Sequence, residues 1–180
     1  LEEALNYVTD KTEKGHRKEL ADSLFVIQSY DKAVELYEPL VVAQVDNDIN
    51  YKFIISLYKS GQYKKALDVC DELLKQGPIK YAVEIRSAIY QEIGDIDGAI
   101  EVCENYLKQK DDFEIALRLA YLHLQKKMFS KVDQFLDQIS IDTEFELDSG
   151  FQLAFLFQHR GDEPKAMELG FKLREKYYND

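Results

Sequence analysis

The residue types that could do chemistry are few here, and their spacing speaks against most of it. The three histidines, His16, His123 and His159, fall in the first helices of different repeats, with no paired Cys or His at ligand spacing. A zinc-type centre needs three or four ligands within about 2.0–2.3 Å of the ion, so no metal and no cofactor is expected. Cys70 and Cys103 stand 33 residues apart. Equivalent sites in stacked helices lie about 10 Å apart, beyond the roughly 7 Å Cα limit for a disulfide. Both therefore read as small core residues of a reducing compartment. The run Asp46-Asn47-Asp48-Ile49-Asn50 begins like a calcium loop. It fails where Tyr51 replaces the sixth-position glycine and Leu57 the twelfth-position glutamate. The same residues suit a helix start, where Asp and Asn accept hydrogen bonds from free backbone amides. There is no phosphate-binding glycine loop, no Gly-x-Ser-x-Gly elbow and no nucleophile paired with a base. The chain reads as a protein without catalytic residues, not an enzyme.

Bulk properties narrow the partners. The sequence is 46% hydrophobic with only three prolines and eight glycines among 180 residues, enough apolar surface for a core and a composition that favours helices. Acidic residues outnumber basic ones 34 to 23, for a formal charge of −11. Such a surface repels phosphate backbones and anionic lipid, so neither nucleic acid nor membrane is an expected partner. A basic or neutral protein partner remains compatible, as does a surface that is simply solvated. No stretch approaches the roughly 18 apolar residues of a membrane span. Leu1 in place of an initiating Met suggests a processed chain or a fragment, and cytoplasmic residence is the default expectation.

The elements that must position any site are legible in self-comparison. Ala33, Ala66, Ala99, Val132 and Ala166 follow one another at spacings of 33, 33, 33 and 34. Three residues before each stand Tyr30, Tyr63, Ile96, Phe129 and Glu163, and two before those Gln28, Gly61, Gly94, Lys127 and Gly161. A helix ends, a glycine takes a backbone conformation closed to most residues, and a new helix starts at once. The small residue then sits where two helix axes cross closely. Apolar residues recur at i, i+3, i+4 and i+7 on both sides of each turn. The periodicity predicts helix pairs at 14–27 and 30–43, 47–60 and 63–76, 79–93 and 96–109, 113–126 and 129–139, and 146–160 and 163–177. Leu1, Ala4, Leu5 and Val8 have helical spacing, so residues 1–12 are expected to be the tail of a preceding repeat. No segment alternates with period two, and no strand is expected.

A repeat of this length with small, Gly, aromatic and Ala columns resembles the tetratricopeptide repeat. The second repeat carries the resemblance best, through Leu57, Gly61, Tyr63, Ala66 and Leu73, with Pro78 closing it. The repeats are degenerate: no tryptophan appears, two turns lack glycine, and Glu163 interrupts the aromatic column. The resemblance implies an all-α fold, a right-handed α-solenoid of about five helix-turn-helix repeats forming a single domain over 1–180. Repeat boundaries fall near 14–46, 47–79, 80–112, 113–145 and 146–180.

In such a stack the first helices line a concave side. First-helix residues not needed against their own second helix are Tyr51, Ile55 and Tyr58; Tyr81, Glu84, Ala88 and Gln91; Leu117, Tyr121 and Leu124; and Phe151, Phe155 and Gln158. They form an apolar, tyrosine-rich strip suited to a protein or peptide segment. The function expected is an adaptor that binds such a segment. The alternatives are a structural segment that assembles as a homo-oligomer, or a regulatory portion of a larger protein. Modules of this family that hold an acidic C-terminus present Lys and Asn where this chain has Lys18 with Asp22, Tyr51 with Ile55, and Glu84 with Ala88. An acidic tail is thus a poor ligand.

Overall fold

The turn column decides where each helix ends. Gly61, Gly94 and Gly161 take φ of 75°, 81° and 84°, and at the two places where the column lacks glycine, Gln28 and Lys127 take φ of 60° and 58°. The left-handed conformation is therefore a demand of the fold and not of the residue. The hydrogen bonds give the reason. Gln28 N–H donates to Phe25 O and Ser29 N–H to Leu24 O, a pairing that ends the helix by satisfying its last carbonyls. The same two bonds recur at Gly61 and Gln62, at Lys127 and Met128, and at Gly161 and Asp162.

The computed structural model describes residues 14–41 and 47–178, which divide between two compact units, Leu1–Glu92 and Ile93–Asp180. Among the described residues all regular structure is helical. The first unit holds α1 (Lys14–Val26), α2 (Tyr30–Val41), α3 (Asn47–Lys59), α4 (Tyr63–Leu74) and α5 (Lys80–Glu92). The second holds α6 (Ile96–Leu107), α7 (Phe113–Gln125), α8 (Phe129–Asp137), α9 (Leu147–Arg160) and α10 (Glu163–Tyr178). Every helix expected from the periodicity between residues 14 and 178 is present. Several end a little early: α4 stops at Leu74, and the Gln76 and Gly77 N–H groups bond three residues back, to Leu73 O and Leu74 O, in a tightened last turn. The helical tail expected within residues 1–12 lies outside the described residues. No helix among the described residues is long and apolar enough to cross a membrane.

In the first unit α1 packs on α2, α2 on α3, and α5 across both α3 and α4. Ala21, Leu24, Ala33, Tyr37, Phe53, Ile54, Leu57, Ala66, Cys70 and Ile89 form its core. Each large side chain there contributes about 1.5–3 kcal/mol relative to exposure. Four members of the small-residue column are buried as close helix crossing requires, Ala33, Ala66 and Ala99 fully and Val132 nearly so, while Ala166 is only half-buried. Cys70 and Cys103 are both buried and not joined in a disulfide, and burial pushes the Cys70 thiol up to about 12.

In the second unit α6 packs on α7, α7 on α8, and α9 against α7, α8 and α10. Leu117, Leu136, Leu153, Leu156, Phe157 and Leu169 make the core. The connection from α8 to α9 contributes Phe145, buried and 5.1 Å from the Phe113 ring centroid, which periodicity alone gives no means of finding. Gly150 marks a close approach of α9 to α10, since a Cβ there would lie 2.5 Å from a Leu173 methyl carbon. Asp95 caps α6 by accepting from the Gly98 N–H at 2.9 Å.

Candidate functional site

The strip expected from the first helices is borne by α3 and α5 in the first unit and by α7 and α9 in the second, and each is described by itself.

In the first unit Tyr51 is 41% exposed and meets Tyr81 edge-on, ring centroids 5.7 Å apart and planes at 81°. The Tyr81 hydroxyl is buried, and burial raises the phenol above its ordinary range. Ile55 and Tyr58 are half-buried, and Tyr58 leans on Tyr63 at 5.9 Å while its hydroxyl donates to Glu92 Oε1 at 3.4 Å. Glu84, Ala88 and Gln91 are also half-buried on α5.

A charged network on α1 and α3 adjoins these residues in sequence, and the periodicity did not reveal it. Lys52 Nζ lies 3.0 Å from both Asp22 Oδ1 and Asp48 Oδ2, and Lys18 Nζ lies 2.9 Å from Asp48 Oδ2 and 3.6 Å from Asp22 Oδ2. The fully buried Tyr37 donates its hydroxyl to Asp22 Oδ1 at 2.6 Å. Burial works to raise the Asp22 carboxyl, and the Tyr37 and Lys52 hydrogen bonds with the two ammonium charges more than reverse it, leaving it below the usual range. Hydrogen bonds from Lys18 and Lys52 hold Asp48 low as well. The spacing Lys18/Asp22 and Asp48/Lys52, each i,i+4 on one helix, was the available signal.

In the second unit Tyr121 stacks on Phe155 with centroids 5.9 Å apart, and its hydroxyl donates to the Gln152 carbonyl at 2.9 Å. The ring series continues beyond the expected residues. His159 lies 6.3 Å from Phe155 and stacks at 6.0 Å on Phe129 of α8. Phe151 and Phe155 are each 49% exposed, and Leu124 is half-buried. Leu117 is a correction: it is 2% exposed and belongs to the core of this unit. It stands one repeat before Phe151, and its place on α7 is covered by packing, whereas the corresponding place on α9 is open.

The other two histidines are dispersed as well, His16 exposed on α1 and His123 buried on α7.

No protein-family profile matches the sequence. The chain is similar in structure to PilF of Pseudomonas aeruginosa, at 17% identity and a TM-score of 0.67, covering 95% of this chain and 79% of that one. It is similar to a thermophilic tetratricopeptide protein of Thermus thermophilus, at 18% identity and a TM-score of 0.66, covering 93% of each. It is also similar to MamA of Desulfovibrio magneticus, at 19% identity and a TM-score of 0.65, covering 96% of this chain and 99% of that one. The fold is thus the all-α tetratricopeptide-type solenoid that the repeat columns imply.

Proposed function

We propose that this chain is a protein-interaction module that holds an apolar segment of a partner protein against the ring-bearing faces of its first helices. The observation that carries the reading is Tyr51, exposed and braced edge-on by Tyr81 on the adjacent first helix. A ring so fixed offers a large contact area at little further cost in conformational entropy. Tyr121 and Phe155 supply a second braced pair in the other unit.

Electrostatics limit the partner. Lys18, the cation an acidic tail would use, already lies between Asp48 and Asp22. A net charge of −11 disfavours a phosphate backbone or an anionic membrane. The reading includes no catalytic step, because ion pairs with Lys18 and Lys52 account for the displaced carboxyls of Asp22 and Asp48. Cytoplasmic residence is proposed with it, on two buried cysteines that form no disulfide.

The test is affinity capture from the source cell, comparing the chain with its Tyr51→Ala/Tyr121→Ala variant. A protein retained by the first and lost by the second supports the reading. Identical capture by both, in a variant that keeps its helical circular dichroism, removes it.

A second reading, self-association, is favoured by α10, where Phe171 and Tyr178 are exposed seven residues apart on one helix face. Light scattering that gives a monomer mass at high concentration eliminates it.

A further inference from the structure

Glu163 is the residue at which the column of Tyr30, Tyr63, Ile96 and Phe129 gives way to a charge. In the first two pairs the ring at that place turns back on the preceding first helix: Tyr30 meets Phe25, and Tyr63 meets Tyr58, each at 5.9 Å between centroids. In the last pair a carboxylate stands at that place instead of a ring. What remains is an open pocket of about 420 Å³ whose walls include Phe151, Phe155, Gln158, Glu163, Ala166 and Met167.

The pocket has aromatic and thioether walls, one carboxylate and no lysine or arginine in its lining. Glu163 makes no ion pair or hydrogen bond among the described residues. In the same unit Asp97, Asp137, Asp142, Glu144 and Asp162 each hold a Lys or Arg. Arg160 and Lys165, the cations next to Glu163 in sequence, are drawn to Asp162 at 3.0 and 3.8 Å and lie over the Phe157 ring. The charge of this wall is therefore left for something outside the chain.

We propose that the pocket binds a cationic side chain of a partner segment, arginine or lysine, with its aliphatic stem against Phe151, Phe155 and Met167 and its charged head at Glu163. Long cationic side chains bury their methylenes on apolar surface while the head stays polar. Guanidinium and ammonium groups are attracted to aromatic faces, and a carboxylate fixes the head with a charge-assisted hydrogen bond. An acidic segment is repelled by Glu163, and a neutral apolar one leaves the carboxylate without a partner. The proposal rests on the reading above only for the source of the side chain, a partner protein.

The experiment titrates the whole ¹⁵N-labelled chain with acetylated, amidated Ala-Xaa-Ala peptides in which Xaa is Arg, Lys, norleucine or Glu. The expected result is that the Arg and Lys peptides move the amides of Phe151, Phe155, Glu163 and Met167, with norleucine about fivefold weaker and Glu without effect. Added salt narrows that gap. Glu163→Gln brings the Arg peptide down to the norleucine level. Glu163→Phe, which restores the ring of the column, removes binding of both while the chain stays folded. Norleucine binding as well as Arg, an unchanged Arg affinity in Glu163→Gln, or an Arg peptide that moves none of these amides overturns the proposal. Partner capture lost through Tyr51→Ala is a separate readout, so failure of the pocket and failure of the binding-module reading are told apart.

Discussion

Tyr121 is tied to α9 twice, its ring 14° from parallel with Phe155 and its hydroxyl donating to the Gln152 carbonyl at 2.9 Å. One side chain thus both packs α7 against α9 and presents a ring beside the exposed Phe155. The two roles separate on mutation. Tyr121→Phe keeps the ring and is expected to cost about 1 kcal/mol in urea unfolding, the net worth of one hydrogen bond, with partner capture retained. Tyr121→Ala loses the stack and the buried surface of the ring as well, a further loss of about 2–3 kcal/mol, and capture with it. Capture lost in Tyr121→Phe would mean that the hydroxyl, not the ring, is what a partner uses.

The left-handed turn residues make a stability prediction of opposite sign. Gln28 and Lys127 carry a Cβ at φ of 60° and 58°, where three sister turns have glycine. That conformation costs a non-glycine residue about 1–2 kcal/mol, partly offset by the greater freedom glycine has in the unfolded chain. Gln28→Gly and Lys127→Gly should each stabilise by about 0.5–1 kcal/mol, read as a rise in the urea midpoint. A fall at either site would show that the long side chain contributes contacts worth more than the strain.

Acid should loosen the first unit through the Asp22–Lys52–Asp48 network. Both carboxyls lie below their ordinary value of 3.8 in the folded chain. Their stabilisation is therefore fully present above about pH 4 and is lost as pH falls through the folded pKa values. The groups are partly exposed, so screening keeps the pairwise contribution at about 1 kcal/mol or less. Asp22→Ala costs more, about 2 kcal/mol, since it leaves the buried Tyr37 hydroxyl without its acceptor. Denaturant melts between pH 2 and 7 should show a shallower acid limb in this variant than in the parent.

A second acid-sensitive place lies in the other unit. His123 is buried, its Nε2 has no hydrogen-bond partner among the described residues, and it lies 3.9 Å from Glu104 Oε1, which Lys131 approaches at 3.2 Å. Burial, aided by the Lys131 charge and opposed by Glu104, holds the imidazole below its ordinary 6.5. The unfolded chain then takes up the proton first. Stability should fall as pH drops below about 6.5 and level off below the folded value. Titrating the His123 ring protons by NMR gives that value directly, and an apparent pKa above 6.5 would reverse the sign. His123→Leu should flatten stability across this window.

The helices and their ends are legible along the chain without any knowledge of the packing. The 33-residue column of small residues marks where helix axes cross, and the position of Gly61 marks a left-handed turn even where Gln28 or Lys127 occupies it. These are local rules, set by backbone conformation and by periodicity along one chain, so one dimension suffices to read them. Which faces stay open is a matter of packing in three dimensions. Leu117 and Phe151 look equivalent in the pattern, yet Leu117 is core and Phe151 is half exposed, because burial depends on which helix arrives from elsewhere in the chain. The Lys18–Asp48 contact and the stacking of Phe129 on His159 likewise join residues about thirty positions apart. Glu163 shows both levels at once: its break with the column is visible in sequence, and only the packing of α9 on α10 turns the missing ring into a pocket with a charged wall.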